Sequence, residues 1–256
     1  MLASIDEVEC SPDELAAAVK EAARRPSPTL IRLGPEHAAV RGFARQELHP
    51  YSHIRVVAES SAPDGWHGTF GELLTRLDER PPNGLYMKHA TLKDISPELL
   101  TRVPKALREL NWLASLPTEI RPFWYWLMAG QAGTSTRLHV DSMASAAWNL
   151  LIEGEKRWRF LPPHMSVEQG LLPPRMTTAP ELLEIEFGQQ PGDLIFTPSG
   201  WAHSVNNRTP AVAVTGNYIG EANIDFAIAY FEAVGEADNA LLCTDVKRAF
   251  TRNGPR

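Results

Sequence analysis

The chain has 256 residues, of which 43% are hydrophobic and 22% charged; it is long enough to bury one sizeable core and too apolar for a disordered or low-complexity protein. A formal net charge of −6 argues against a protein that holds nucleic acid on a broad basic face. Two cysteines, Cys10 and Cys243, are too few for a disulfide framework. The start MLASIDEVEC lacks the basic-then-apolar order of a signal peptide, and the most apolar run, residues 123–129, is far shorter than the roughly 20 residues that span a bilayer. A single cytoplasmic domain with no membrane segment is expected.

In chain order, SPDELAAAVKEAARR from Ser11 has a Ser cap, Pro12 at the first helical position and acids in the first turn, which predicts a helix. A strand follows over 29–33, a helix over 36–46 and a strand over 54–58. Helical signals recur over 69–77 and 105–113. From about Pro122 short apolar or alternating runs broken by Gly and Pro follow one another, the pattern of a sandwich or barrel. The predicted strands span 123–129, 138–141, 147–153, 156–161, 183–187, 193–197, 203–206 and 211–219, and Glu153-Gly154-Glu155 reads as a tight hairpin. Two helices close the chain over 222–234 and 238–251. Their apolar stripes are Ile224, Ile228 and Phe231 in the first, and Leu242, Val246 and Phe250 in the second.

The segment TRLHVD puts His139 and Asp141 on one face of a strand, because side chains two residues apart leave the same side. His203 opens another short strand in PGDLIFTPSGWAHSVNN, after turns set by Gly192, Pro198 and Gly200. Two imidazoles and a carboxylate suit a metal site with open positions. The spacing is equally that of two solvated polar groups on a surface strand, and His203 read alone fits a histidine bonded to a backbone carbonyl. In KRWRFL, alternation turns Lys156, Trp158 and Phe160 to one face and Arg157 and Arg159 to the other. An inward lysine asks for an anion, since a lone buried charge is costly; the alternative is a lysine that snorkels from the barrel rim. In AVAVTGNYI, Ala211, Ala213, Thr215 and Asn217 share a small, partly polar face that leaves room for a ligand.

The blocks STRLHVDSMASAAWNLLIEGEKRWRFLPP and PGDLIFTPSGWAHSVNN resemble the two motif blocks of the Jumonji-C (JmjC), cupin-like hydroxylases. The resemblance is closest to the subgroup of the Jumonji lysyl hydroxylase and extends over about 84–220. It implies a mainly β fold, a double-stranded β-helix of the jelly-roll or cupin kind, with N-terminal α/β elements over 1–83 and a C-terminal helical pair over 221–256. It also implies iron(II) on His139, Asp141 and His203, with 2-oxoglutarate and dioxygen as cosubstrates, and hydroxylation of a C–H bond with release of succinate and carbon dioxide. By position, Lys156 would pair with the distal carboxylate of 2-oxoglutarate, helped by Thr136 and Tyr86, while Asn149 and Thr215 line the same pocket. Strict alternation sets Thr136 on the opposite face from His139; a strand that begins only after Thr136 would let its hydroxyl turn inward.

The primary substrate is open among a peptide side chain, an amino acid, a small metabolite and, less favoured by the acidic charge, an RNA base. A metal-binding cupin-like module without turnover is the competing class, and a cupin-type isomerase or dioxygenase that works without 2-oxoglutarate is a third. Trp148 and Trp201 read as buried structural aromatics that could shape a cleft. The C-terminal stripes suggest a homodimer if either helix lacks a partner in its own chain.

Overall fold

The computed structural model describes residues 3–11, 13–79, 84–176 and 182–252. Among these residues the strands are β1 (Asp6–Val8), β2 (Thr29–Arg32), β3 (Arg55–Ala58), β4 (Trp66–Thr69), β5 (Tyr86–Met87), β6 (Tyr125–Gly130) and β7 (Ser135–His139), then β8 (Ala146–Glu153), β9 (Lys156–Leu161), β10 (Ile185–Gln189), β11 (Asp193–Thr197), β12 (Ala202–Asn207) and β13 (Ala211–Tyr218). They form a large sheet in the order β1-β2-β11-β8-β13-β6-β5, a small sheet in the order β10-β9-β12-β7, and the separate pair β3-β4. From β6 to β13 the chain changes sheet at every connection except that between β9 and β10. That winding is a double-stranded β-helix, the jelly roll expected from the sequence.

The two sheets differ in burial because they differ in what covers them. Strands β8, β11 and β13 are buried on both faces almost throughout. One face lines the barrel; the other carries Trp148, Leu150, Ile152, Phe196 and Val214 into a core shared with the N-terminal helices through Val19, Phe43, Leu73 and Leu107. Strand β9 alternates instead, with Lys156, Trp158 and Phe160 inside and Arg157 and Arg159 in solvent. Those two arginines pair with Glu186 and Glu184, the first of which lies on neighbouring β10. Trp158 and Phe160 from the small sheet and Ile195 from the large one join a single cluster between the sheets.

Several expectations need correction. Glu153-Gly154-Glu155 is a tight turn but not a hairpin: β8 pairs with β11 and β13, β9 with β10 and β12, so the turn carries the chain from one sheet to the other. Gly154 has φ +86°, and a Cβ there would lie 2.1 Å from the Pro210 carbonyl oxygen, so only glycine lets the turn pass. The first helix spans Leu15–Arg24 and has Glu14 rather than Ser11 before it; Pro12 lies outside the described residues. The helix expected over 36–46 is two short turns, Ala38–Arg41 and Arg45–Leu48, and that over 105–113 is Lys105–Arg108 followed by a 3-10 turn at Trp112–Ser115. Strands β1 and β2, both before Gly84, extend the large sheet beyond β11. The N-terminal third is therefore part of the sheet as well as its cover.

Helix Phe70–Arg76 starts on a reciprocal cap, with Thr69 Oγ1 accepting from the Glu72 amide and Glu72 from the Thr69 amide, which satisfies two end donors at once. Helix Ile224–Val234 ends at Gly235, in the left-handed conformation, and helix Ala237–Arg252 follows. Ile224, Ala227 and Phe231 of the first and Ala240, Cys243 and Val246 of the second pack with Leu113, Leu116, Trp124 and Ile219, and Phe250 stacks on Trp112 at 4.5 Å between ring centroids. Both stripes thus find partners in their own chain, while Val234 and Leu241 of the same helices stay exposed. No helix among the described residues is long and apolar enough to cross a membrane.

Candidate metal centre and anion pocket

The small sheet carries the candidate site as three rows of side chains across its inner face. His139 at the end of β7 is in register with His203 on β12, and His203 with Phe160 on β9. Two residues along β12, Val205 is in register with Thr136 and Trp158; two further on, Asn207 faces Lys156, which on its other side faces Gln189 of β10. A row holding two imidazoles is thus followed by an aromatic and aliphatic row, and that by a buried polar row of Gln189, Lys156 and Asn207.

At the first row the His139 and His203 rings lie 4.4 Å apart between centroids, and Asp141, just past the end of β7, puts Oδ2 3.9 Å from His203 Nε2. One ligand atom from each of the three can be chosen so that all lie within 4.8 Å of one another. The Nδ1 atoms face backbone, 2.8 Å from the Arg137 carbonyl for His139 and 3.4 Å from that of Trp201 for His203, which leaves both Nε2 atoms to point at a common centre. Burial pushes the His203 imidazole below its usual pKa, opposed by the Asp141 carboxylate and assisted by His139; a neutral ring is the form that ligates metal. Directly after Asp141, Met143 and Ala144 have φ +59° and +47°, and such strained non-glycine backbone concentrates at functional sites. The donor set fits a divalent transition metal with open positions, two nitrogens and one carboxylate.

Thr136 reaches the inner face by a different route from the one expected. The strand begins at Ser135, before Thr136. What turns the hydroxyl inward is a bulge: three steps along β7, from His139 to Thr136, match only two along β12, from His203 to Val205. The extra residue shifts the alternation by one and restores Thr136 to the face of His139. There its Oγ1 lies 3.4 Å from the hydroxyl of Tyr86, a buried residue on β5.

Lys156 is 2% exposed, and no carboxylate among the described residues pairs with it. Burial alone pulls its pKa from the ordinary 10.5 down to about 8. A lysine that snorkelled to the rim would show neither property. In the same row Asn207 Oδ1 is buried with no hydrogen-bond partner among the described residues. Asn149 and Thr215, in register on β8 and β13, sit on the inner face of the large sheet; Thr215 Oγ1 donates to the Trp148 carbonyl at 2.7 Å. Trp148 and Trp201 are structural: both are almost fully buried, and the Trp201 indole donates to the Pro26 carbonyl at 2.9 Å. On the outer face of the small sheet a groove of about 320 Å³ runs along Arg137, Arg157, Arg159, Ser204 and Asn206.

The sequence reading singles out neither Gln189 nor Asn207, the two buried amides that flank Lys156 in its row. Gln189 is fully buried and bonds to Trp158, Asn149 and Asp193. The signal was present, since alternation along β10 puts Gln189 on the side of Ile185, a polar residue where the core continues.

Comparison with known proteins points the same way. Residues 169–218 match the family model described as JmjC domain, hydroxylase, a stretch that holds Gln189, His203 and Thr215. The chain is 31% identical over 200 residues to the lysine-specific demethylase JMJ21 of Arabidopsis thaliana, covering 61% of this chain and 21% of that protein. It is 34% identical over 126 residues to the bifunctional arginine demethylase and lysyl-hydroxylase psr-1 of Caenorhabditis elegans, covering 41% and 32%. To the 2-oxoglutarate and iron-dependent oxygenase JMJD4 of Mus musculus it is 32% identical over 117 residues, covering 39% and 27%. The matched region is about a fifth to a third of the length of these relatives. With the jelly roll and the His-Asp-His cluster, these matches make the chain similar to JmjC-domain hydroxylases over the region that carries the cluster.

Proposed function

We propose that this chain, folded as one domain, is an iron(II)- and 2-oxoglutarate-dependent oxygenase that hydroxylates a C–H bond. His139, Asp141 and His203 hold the metal, and Lys156, with Thr136, Tyr86, Asn149 and Thr215, holds the cosubstrate. The observation that carries the reading is the distance between two features a pure core would not keep: the metal row and an unpaired, buried lysine on the same inner face. Four residues along a strand cover about 13 Å. The four-carbon stem of Lys156 and the imidazoles each take up part of that span, and the remainder suits a short dicarboxylate bridging metal and ammonium. When bound, the metal and cosubstrate supply dioxygen activation coupled to decarboxylation of 2-oxoglutarate to succinate and carbon dioxide.

The chain's own part is binding and orientation. Lys156 supplies a charge-assisted contact to the distal carboxylate; Tyr86 and Thr136 offer hydroxyls beside it; Trp158 and Phe160 wall the pocket and keep water from the buried imidazole. Ala211 and Ala213 on β13 pack with Leu151 and Met128 in a small buried cluster of their own. The primary substrate is a peptide side chain, an amino acid or a small metabolite, and the relatives' names, which speak of lysyl and arginine side chains, favour the first. The test is conversion of 2-oxoglutarate to succinate by iron-loaded protein, with a screen of peptides and metabolites for the gain of one oxygen. Neither turnover nor binding of 2-oxoglutarate by the iron-loaded chain would overturn the reading.

A further inference from the structure

We propose that Gln189 is a positioning residue that fixes the Asn149 carboxamide with its N–H₂ end directed away from Gln189, as a donor to the bound cosubstrate. The inference rests on the functional reading above. Its argument is one of hydrogen-bond polarity. An indole nitrogen can only donate, and Trp158 Nε1 lies 2.8 Å from the Gln189 side chain, so the atom it meets is the amide oxygen. At the other end the Gln189 nitrogen faces the backbone carbonyls of Asp193, at 3.0 Å, and Asn149, at 3.2 Å, which can only accept. Groups that cannot reverse therefore fix the Gln189 amide at both ends.

The same nitrogen lies 3.2 Å from the Asn149 side chain. Since it donates, Asn149 must present Oδ1, and Nδ2 is turned away from this contact. Asn149 is 5% exposed, and its Nδ2 makes no hydrogen bond to the described residues. The nitrogen is not among the fully buried atoms that lack a partner, so it keeps accessible surface through which a ligand oxygen can accept from it. Gln189 is also the register partner of Lys156, so the relay ends beside the proposed carboxylate pocket. Swapping the Gln189 amide for a group that cannot donate would release Asn149 to rotate and satisfy its own nitrogen elsewhere.

The test is calorimetric, with the full chain carrying Mn(II) under anaerobic conditions and 2-oxoglutarate as titrant. A hydrogen bond to a charged oxygen predicts that Asn149→Ala and Gln189→Leu each raise the cosubstrate Kd about tenfold or more. Metal affinity should stay within a few-fold of the parent. The double variant should be no weaker than either single one, because Gln189 acts through Asn149. Trp158→Phe, which keeps the ring and removes only the polarity-setting N–H, should also weaken 2-oxoglutarate binding, and it carries the test if Gln189→Leu does not fold. A cosubstrate Kd unchanged in Gln189→Leu, or in Trp158→Phe where that variant carries the test, or independent penalties in the double variant, would overturn the positioning role. If Lys156→Ala still weakens binding in that case, the oxygenase reading stands. A parent that binds no 2-oxoglutarate overturns both.

Discussion

Lys156→Met separates what the lysine costs from what it does. Methionine keeps the length of the stem and removes the charge. In the folded chain Lys156 gives up its proton near pH 8, against 10.5 ordinarily, because burial disfavours the charged form and no acid compensates. With each pH unit worth about 1.4 kcal/mol, holding the ammonium inside costs the ligand-free protein about 3 kcal/mol below pH 8. Between pH 8 and 10.5 the unfolded chain binds the proton and the folded chain does not, so stability rises with pH across that window. The variant should be more stable than the parent at pH 7, by roughly 2–4 °C in Tm per kcal/mol, and its advantage should vanish as pH approaches 10.5. Thermal unfolding at a series of pH values, without cosubstrate, measures this directly. Saturating 2-oxoglutarate should shrink the advantage at pH 7, since an anion that binds only the folded parent stabilises it by mass action. A variant less stable than the parent at pH 7, or a difference that does not change with pH, would refute the account of Lys156 as an uncompensated buried cation.

Other outcomes follow from the same geometry. His139→Ala and Asp141→Ala should each lower metal affinity by well over tenfold and abolish succinate formation, with little loss of stability in the metal-free protein; metal titration with a chelator competitor reads the first effect. Gly154→Ala should destabilise by several kcal/mol, because the added methyl meets the Pro210 carbonyl and the backbone must hold φ +86°; denaturant unfolding gives the figure, and a loss under 1 kcal/mol would show that the turn relaxes. Removal of residues from Asp238 onward uncovers Phe231 and Trp112, so the truncated chain should aggregate, and light scattering on the full chain should show a monomer at micromolar concentration. A stable dimer of the full chain would mean that a surface other than the two packed stripes holds it.

The sequence made the barrel strands legible because the small sheet is wetted on one face: KRWRFL alternates, and β9 spans the predicted residues 156–161. It also brought His139, Asp141 and His203 together correctly, since the motif blocks carry more information than spacing alone. What it could not show was which strands pair. The turn at Gly154 looks like a hairpin because a chain passing between two sheets needs the same tight reversal as one returning within a sheet, and local residues do not distinguish the two. The N-terminal helices came out shorter than predicted because packing against the outer face of the large sheet, rather than intrinsic propensity, decides where they stop. Gln189 lies two residues past the strand expected over 183–187, so alternation was not carried to it, whereas β10 spans Ile185–Gln189.

The bulge in β7 explains how His139 and Thr136 come to share the inner face. In a regular pair of strands, His139 facing the metal would send Thr136 to solvent, and the hydroxyl beside Tyr86 would be lost from the inner face. Putting Arg137 and Leu138 opposite the single Ser204 lets both ends of the strand point inward while its middle points out. The cost is low because β7 is the edge strand of the small sheet, where an extra residue disturbs one ladder rather than two. The same position leaves β7, which carries His139 and leads to Asp141, without a strand on its far side among the described residues. His203, on β12 between β9 and β7, is by contrast held from both sides. A histidine on an inner strand and a histidine and carboxylate on and just past an edge strand thus make up the three-residue cluster.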